Sequence, residues 1–271
     1  KSISHRALLH AALSPHESRI QNVLRAGVTA AMIDCLRKLG VSIEGEGSDL
    51  KVRGGVWRQP NGPLHCGNSG TTMRLLLGAL AGMPLQVALT GTPGLERRPM
   101  GRVVRPLRHM GAFISADRAP LSISGGGLRG CEHHLQIASA QVKSSLLLAA
   151  LQAEGPTTIY QPAHSRDHSE RMLRKLGIDV QSTANSVRLH PNGRPLPPTH
   201  LTVPGDFSSA AFLIASAVLV PGSNVHIRGI GVNSTRTGLL DMLSAMGADI
   251  SIENRRERGG EPVADITARH S

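Results

Sequence analysis

Apolar and polar positions follow one pattern that recurs four times along this chain. A short polar stretch opens an apolar helix. About thirty-five residues later a second helix ends in Leu or Met, then Gly, then a strand-like run. The second-helix endings are Leu39-Gly40-Val41, Met110-Gly111-Ala112, Leu176-Gly177-Ile178 and Met246-Gly247-Ala248, with glycines 71, 66 and 70 residues apart. The first-helix starts at Ser2, Ser69, Ser139 and Ser208 keep the same beat, at 67, 70 and 69. The closing Gly suits a left-handed position past a helix end. A strand pair follows each one: Val41–Glu44 with Asp49–Arg53, Ala112–Ser115 with Leu121–Ser124, Ile178–Gln181 with Val187–His190, and Ala248–Glu253 with Val263–Ala268. Further strands, Leu85–Thr90, Thr157–Tyr160 and Asn224–Arg228, separate the two helices of a unit. Each unit therefore reads as βαβαββ, in an α/β fold. The stretches Leu75–Ala81, Leu146–Leu151 and Ala210–Val220 are apolar nearly all round, which predicts burial.

Length and composition narrow this picture. A chain of 271 residues, 40% of them apolar, can bury a sizeable core across two domains or one and a piece. Only five residues are aromatic, so Leu, Ala, Val, Ile and Met must fill that core. The longest nearly apolar run, Ala210–Val220, is too short to span a bilayer. No signal peptide is expected before the first unit. Cys35, Cys66 and Cys131 are odd in number, far apart and in no metal-like spacing, which predicts reduced thiols, a cytoplasmic protein and no metal site. The chain opens on Lys1 at a helix mouth and stops at Ser271 after the fourth strand pair, which reads as a segment of a longer protein.

The net charge of +11 first suggests nucleic acid. However, the cations are spread in ones and twos, with almost no aromatic surface for stacking bases. Small anionic substrates, steered by the same excess, fit better.

The helix mouths carry the candidate chemistry. Lys1-Ser2-Ile3-Ser4-His5-Arg6 sets Ser2 and Arg6 on one helix face, with Lys1 at the end where backbone N–H groups are unpaired. Hydroxyl, guanidinium, ammonium and helix dipole suit a phosphate or carboxylate; a plain Ser cap with solvated cations is the simpler reading. Gly67-Asn68-Ser69-Gly70-Thr71-Thr72 offers close backbone approach and polar donors, or only a capped tight turn, and lacks the Lys of a P-loop. Ser139-Ala140-Gln141-Val142-Lys143 is again neutral-polar with a cation one turn in, or a cap beside a solvated Lys. Gly205-Asp206-Phe207-Ser208-Ser209 places an acid at the mouth, which suits a structural cap and repels anions.

Glu96-Arg97-Arg98-Pro99-Met100 lies in a Gly/Pro-rich loop, where paired arginines can clamp an anion or simply face water. Ser165-Arg166-Asp167-His168-Ser169-Glu170 precedes a helix and fits a capping arrangement. Adjacent Asp167 and His168 do not face each other on a helix, which argues against an acid–base pair. His133 and His134 show no ligand spacing and read as surface residues.

Together these motifs resemble the 5-enolpyruvylshikimate-3-phosphate synthase family. The resemblance rests on Lys-Ser-Ile-Ser-His-Arg at 1–6, Gly-Asn-Ser-Gly-Thr-Thr-Met-Arg at 67–74, Arg-Arg-Pro-Met at 97–100, Ser-Ala-Gln-Val-Lys-Ser at 139–144 and Ser-Arg-Asp-His-Ser-Glu-Arg-Met at 165–172. Pro-Gly-Asp-Phe-Ser-Ser-Ala at 204–210 and Asn-Ser-Thr-Arg-Thr-Gly at 233–238 extend it over the whole chain. The Ser-Arg-Asp-His and Gly-Asn-Ser-Gly-Thr-Thr forms are closest to the bacterial class II branch.

The resemblance implies an inside-out barrel of repeated βαβαββ units in two domains, of which about four of six units fall in this chain: three in residues 1–203 and one opening an incomplete second domain at 204–271. It implies transfer of the enolpyruvyl group of phosphoenolpyruvate to the 5-hydroxyl of shikimate 3-phosphate, releasing phosphate, in the shikimate pathway to chorismate and the aromatic amino acids. It implies no metal or organic cofactor, a monomer, no nucleic-acid or membrane partner, and glyphosate as a competitor at the phosphoenolpyruvate site. Carried over by motif, Lys1, Ser2, Arg6, Ser139, Ala140 (where some relatives have Ser), Gln141, Ser165 and Arg166 hold shikimate 3-phosphate. Lys1, Gly70, Arg98 and Gln141 contact phosphoenolpyruvate, with Asn68 and Thr71 shaping that pocket. Lys1 is the one group here suited to proton work. The family's acid–base carboxylates belong to units beyond residue 271, so the segment alone is expected to be inactive. Two alternatives share the chemistry of the site: a truncated or decayed paralogue that binds without turnover, and UDP-N-acetylglucosamine enolpyruvyl transferase. The latter typically carries a reactive Cys in the loop here spanning Gly91–Pro99, which has none.

Overall fold

The computed structural model describes residues 1–271. The first unit runs α1 (Ser2–Leu13), β1 (Ser18–Gln21), α2 (Gly27–Lys38), β2 (Ser42–Glu44) and β3 (Leu50–Arg53). The second runs β4 (Leu64–His65), α3 (Gly70–Ala81), β5 (Gln86–Thr90), the short α4 (Pro93–Glu96), α5 (Gly101–Met110), β6 (Phe113–Ile114) and β7 (Leu121–Ser124). The third runs β8 (Glu132–His134), α6 (Ala140–Ala150), β9 (Thr157–Tyr160), α7 (His168–Lys175), β10 (Asp179–Ser182) and β11 (Ser186–His190). After β12 (His200–Thr202) come α8 (Phe207–Leu219), β13 (Asn224–Gly231), α9 (Gly238–Ala245), β14 (Ile250–Arg258) and β15 (Glu261–Arg269).

The repeat is visible in the sheets. Their orders are β12-β1-β3-β2, β4-β5-β7-β6 and β8-β9-β11-β10, each with a parallel first pair and antiparallel partners after it. In the fourth unit β13-β15-β14 follow the same order, and a single parallel bridge from Gly205 to Ile230 stands in for the first strand. The parallel partner of β1 comes from beyond the third unit: β12 pairs with it, Ile20 opposite Leu201. Residues 200–202 thus close the sheet that the first unit begins. Gly40, Gly111, Gly177 and Gly247 all have positive φ, between 76° and 115°. Each turns the chain out of a second helix into a strand, in a conformation a side chain would oppose.

The sheets lie outside with one face to solvent, as the alternating burial of β1 and β3 shows. Helices α1, α3 and α6 lie inside, packed on one another. A Cβ on Gly78 would overlap the carbonyl of Ser145, so glycine lets α3 and α6 approach closely. Buried apolar side chains fall into two clusters, one of 58 residues between Ile3 and Val203 and one of 10 between Phe207 and Ala268. No helix is long and apolar enough to cross a membrane.

One expectation is corrected. Leu75–Ala81 is buried throughout, but Ala210–Val220 is not: Phe212 is 77% exposed and Leu219 75%, with Leu213 and Val220 also in solvent. Helix α8 packs chiefly on β13 and β15, leaving its far side open, whereas α3 is enclosed by α1, α2, α5 and α6.

Candidate active site

The mouths of α1, α3 and α6 open toward one another, and hydrogen bonds join them. Arg6 is 3% exposed. Its Nε donates to Ser169 Oγ (2.8 Å), Nη1 to the Ser2 carbonyl (3.0 Å), and Nη2 to Ser144 Oγ (2.6 Å) and the Ala140 carbonyl (3.4 Å). The first mouth is thereby fastened to the third. Next to Ala140, the Gln141 amide donates to Thr71 Oγ1 (2.8 Å), while its Oε1 accepts from Arg74 Nη1 (2.6 Å). The third mouth is thereby fastened to the second. Arg98 Nη2 donates to Asn68 Oδ1 (3.1 Å), bringing the Arg-Arg-Pro loop over the same mouth. Ser69 and Ser139 cap their helices, accepting from Thr72 N (3.1 Å) and Val142 N (3.5 Å).

Two groups of like charge result. Burial first, with repulsion from Arg166 and Arg236, brings Arg6 down to about 10 against the pull of Glu170 and Glu261; it stays charged at neutral pH. Arg166, though its side chain is exposed, is lowered first by partial desolvation and then by Arg236, opposed by Asp206. Arg74 is lowered by burial, then by Arg98 and Arg102. Cations held against their own repulsion around these mouths suit multiply charged anions. Gly70 sits between two of them: a Cβ there would lie 2.9 Å from Arg74 Nη1 and 3.6 Å from Arg98 Nη1. Lys1, Arg98 and Arg166 are exposed. A hollow of about 940 Å³ lies against the first sheet with a lining that includes Glu17, Arg19, Glu44 and Lys51, and shares no residue with these groups.

Several side chains differ from their sequence reading. Lys143 is not solvated. It is 1% exposed and pairs with the equally buried Glu170 at 2.6 Å, and its Nζ also donates to the Ser165 carbonyl at 3.3 Å. It therefore holds the loop that carries Arg166 rather than facing a ligand. Ser165 donates its hydroxyl to Gln161 Oε1 (2.7 Å) and does not cap α7, whose N-cap Asp167 makes no side-chain cap bond. His168 Nδ1 meets Glu261 Oε1 at 2.7 Å; the carboxylate also accepts from Asn233, which donates to Asp167 as well. His168 is thus committed to the junction between α7 and the fourth unit. Asp206 caps α8 through Ser208 N and pairs with Arg236 at 3.2 Å, so its charge is offset. His133 is buried, not at the surface, because β8 lies beside the last turn of α5. The residues not singled out by sequence reading are Arg74, Ser144, Ser169, Arg102 and Arg236. The motifs at 67–74, 139–144, 165–172 and 233–238 contained Arg74, Ser144, Ser169 and Arg236, but only the fold brings Ser144 and Ser169 to Arg6.

Known proteins carry the same architecture. The chain is 46% identical to the 3-phosphoshikimate 1-carboxyvinyltransferase of Syntrophomonas wolfei, which it matches over its whole length and over 65% of that relative. It is 48% identical to an enzyme of the same name from Thermus thermophilus, again over 100% of this chain and 65% of the relative. The EPSP synthase structure from Acinetobacter baumannii superposes with a TM-score of 0.93 at 42% identity, covering 100% of this chain and 63% of that one. This chain thus spans about two thirds of the length of these proteins and shares their α/β fold of repeated βαβαββ units. Residues 1–270 match the family model described as EPSP synthase (3-phosphoshikimate 1-carboxyvinyltransferase), and with three helix mouths linked around buried and exposed cations, the chain belongs to that family.

Proposed function

We propose that these residues form the shikimate 3-phosphate side of an enolpyruvyl transferase, which moves the enolpyruvyl group of phosphoenolpyruvate to the 5-hydroxyl of shikimate 3-phosphate and releases phosphate. The observation that carries this reading is Gln141, bonded to Thr71 and Arg74 and next to the Ala140 carbonyl that accepts from Arg6. It joins two cation groups, as two anionic substrates reacting with each other require. Lys1, Ser2, Arg6, Ser139, Ala140, Gln141, Ser165 and Arg166 serve shikimate 3-phosphate. Lys1, Asn68, Gly70, Thr71, Arg98 and Gln141 serve phosphoenolpyruvate. The cations offset the repulsion between the substrates and align hydroxyl and enol carbon.

The reaction adds the hydroxyl across the enol double bond and then expels phosphate, so it needs a proton for the methylene carbon and a base for the hydroxyl. Four carboxylates near these mouths are engaged: Asp206 with Arg236, Glu170 with Lys143, Asp167 with Arg171 and Glu261 with His168. We therefore assign further proton transfer to the part of the relatives' length outside residues 1–271, and expect the segment to bind without turning over. The two apolar clusters support a division into a three-unit domain, 1–203, and the first unit of a second domain, 204–271. A cytoplasmic monomer fits this biosynthetic role.

The test is a phosphate-release assay with both substrates, run on residues 1–271 and on a chain completed to the relatives' length, alongside equilibrium binding of shikimate 3-phosphate. Binding by both with turnover by the longer chain alone is the expected result. Absence of binding in both overturns the reading, and turnover by 1–271 relocates the proton-transfer groups.

A further inference from the structure

His109, Cys131 and His133 belong to neither cation group. Their ligand atoms nevertheless lie within 4.8 Å of one another. Cys131 Sγ is 3.8 Å from His109 Nδ1 and 3.3 Å from His133 Nε2. The two imidazoles meet edge to face, with centroids 5.8 Å apart and planes at 83°.

The fold explains the convergence. Cys131 immediately precedes β8 and His133 lies within it, two residues on, so an extended backbone sends both to one face. Glu132 and His134 face the other way, where His134 stacks on Tyr160. His109 comes from the last turn of α5. The Arg129 N–H donates to the Met110 carbonyl at 2.9 Å, fastening the strand entry to that helix end within two residues of both Cys131 and His109.

We propose that His109, Cys131 and His133 form a binding site for a borderline-soft divalent cation of the zinc class. Thiolate and imidazole are the donors such an ion selects. A tetrahedral ion with Zn–S about 2.3 Å and Zn–N about 2.0–2.1 Å sets sulfur and nitrogen about 3.5 Å apart. The observed 3.8 and 3.3 Å straddle that value. His133 is fixed by burial and His109 is exposed, so one ring can adjust while the other anchors the ion. On binding, the thiol S–H bond breaks, its proton leaves to solvent, and the sulfur electron pair forms the metal bond. Water completes the fourth position. The ten residues of α5 span about 15 Å, with Arg98 beyond the far end of the helix. The ion therefore cross-links α5 to β8 and takes no part in chemistry at the helix mouths.

The test uses tag-free residues 1–271, stripped with a chelator and titrated with Co(II). The expected result is one equivalent bound, with tetrahedral d–d bands and a sulfur-to-cobalt charge-transfer band that Zn(II) abolishes. Cys131→Ser should lose the charge-transfer band. His109→Ala, at an exposed position that leaves folding intact, should keep it but bind at least about tenfold more weakly, since even an outer-shell partner contributes about that factor. Zn(II) should raise the melting temperature of the unsubstituted chain and not of Cys131→Ser. A thiol that only hydrogen-bonds to its neighbours gives no bands and no stoichiometric binding, which overturns the proposal. So does a Cys131→Ser chain that keeps the charge-transfer band, because the sulfur then comes from Cys35 or Cys66.

Discussion

Arg74 and Gln141 meet at 2.6 Å across two different repeats, one turn into α3 and at the first turn of α6. Gly70 lies one helical turn before Arg74, so its missing side chain is part of this contact.

Gly70→Ala would bring a methyl group 2.9 Å from Arg74 Nη1, and the guanidinium must move. We expect glyphosate competition against phosphoenolpyruvate, measured in the chain completed to the relatives' length, to weaken by roughly tenfold or more, the value of one charge-assisted hydrogen bond of about 1.5–3 kcal/mol. Shikimate 3-phosphate affinity should change little. Unaltered competition would place the inhibitor away from Gly70.

Arg166→Ala removes an exposed cation whose loop is tethered by Lys143. Its loss should weaken shikimate 3-phosphate binding to residues 1–271, seen by calorimetry, by about 1.5–3 kcal/mol. The melting temperature should hardly move. Equal affinity in variant and parent would remove Arg166 from the site.

Lys143 and Glu170 form an ion pair sealed from solvent, at 2.6 Å. Removing one partner strands a buried charge at a cost of about 3–5 kcal/mol, whereas replacing both with apolar residues can be near neutral. Urea denaturation should therefore show Lys143→Met far less stable than the parent, and the double variant Lys143→Met, Glu170→Leu restored by most of that loss. A double variant as weak as the single one would mean that the Ser165 contact dominates.

His10 is fully buried on α1, and burial first, then Arg6, brings its imidazole down to about 3. In the unfolded chain it titrates near about 6.5. Above that value both states are neutral and His10 contributes nothing to the pH dependence. Below it the unfolded chain takes up a proton that the native state refuses. Stability therefore falls as pH drops from about 6.5 toward about 3, by up to about 1.4 kcal/mol per pH unit. Urea midpoints at about pH 7 and about pH 5 should differ less in His10→Leu than in the parent. An identical difference would assign the acid sensitivity to other groups.

Local periodicity determined a large part of this protein. The four glycines at positive φ, the helices they end and the strands that follow were legible because each depends on neighbours a few residues away. The serine caps at the mouths of α3 and α6 were legible for the same reason. Tertiary structure alone decided which strand completes the first sheet, since β12 reaches β1 from 181 residues on, as Gln21 opposite Thr202 shows. It also decided that Lys143 is buried while Arg166 is not, because a charge leaves water only where a distant partner such as Glu170 meets it. Helix α8 shows the same limit for apolar residues: Ala210–Val220 is apolar enough to be enclosed, yet burial requires a surface to pack against, and only β13 and β15 chiefly supply one. His109 stands 22 residues from Cys131, and only the packing of α5 against β8 joins its nitrogen to that sulfur.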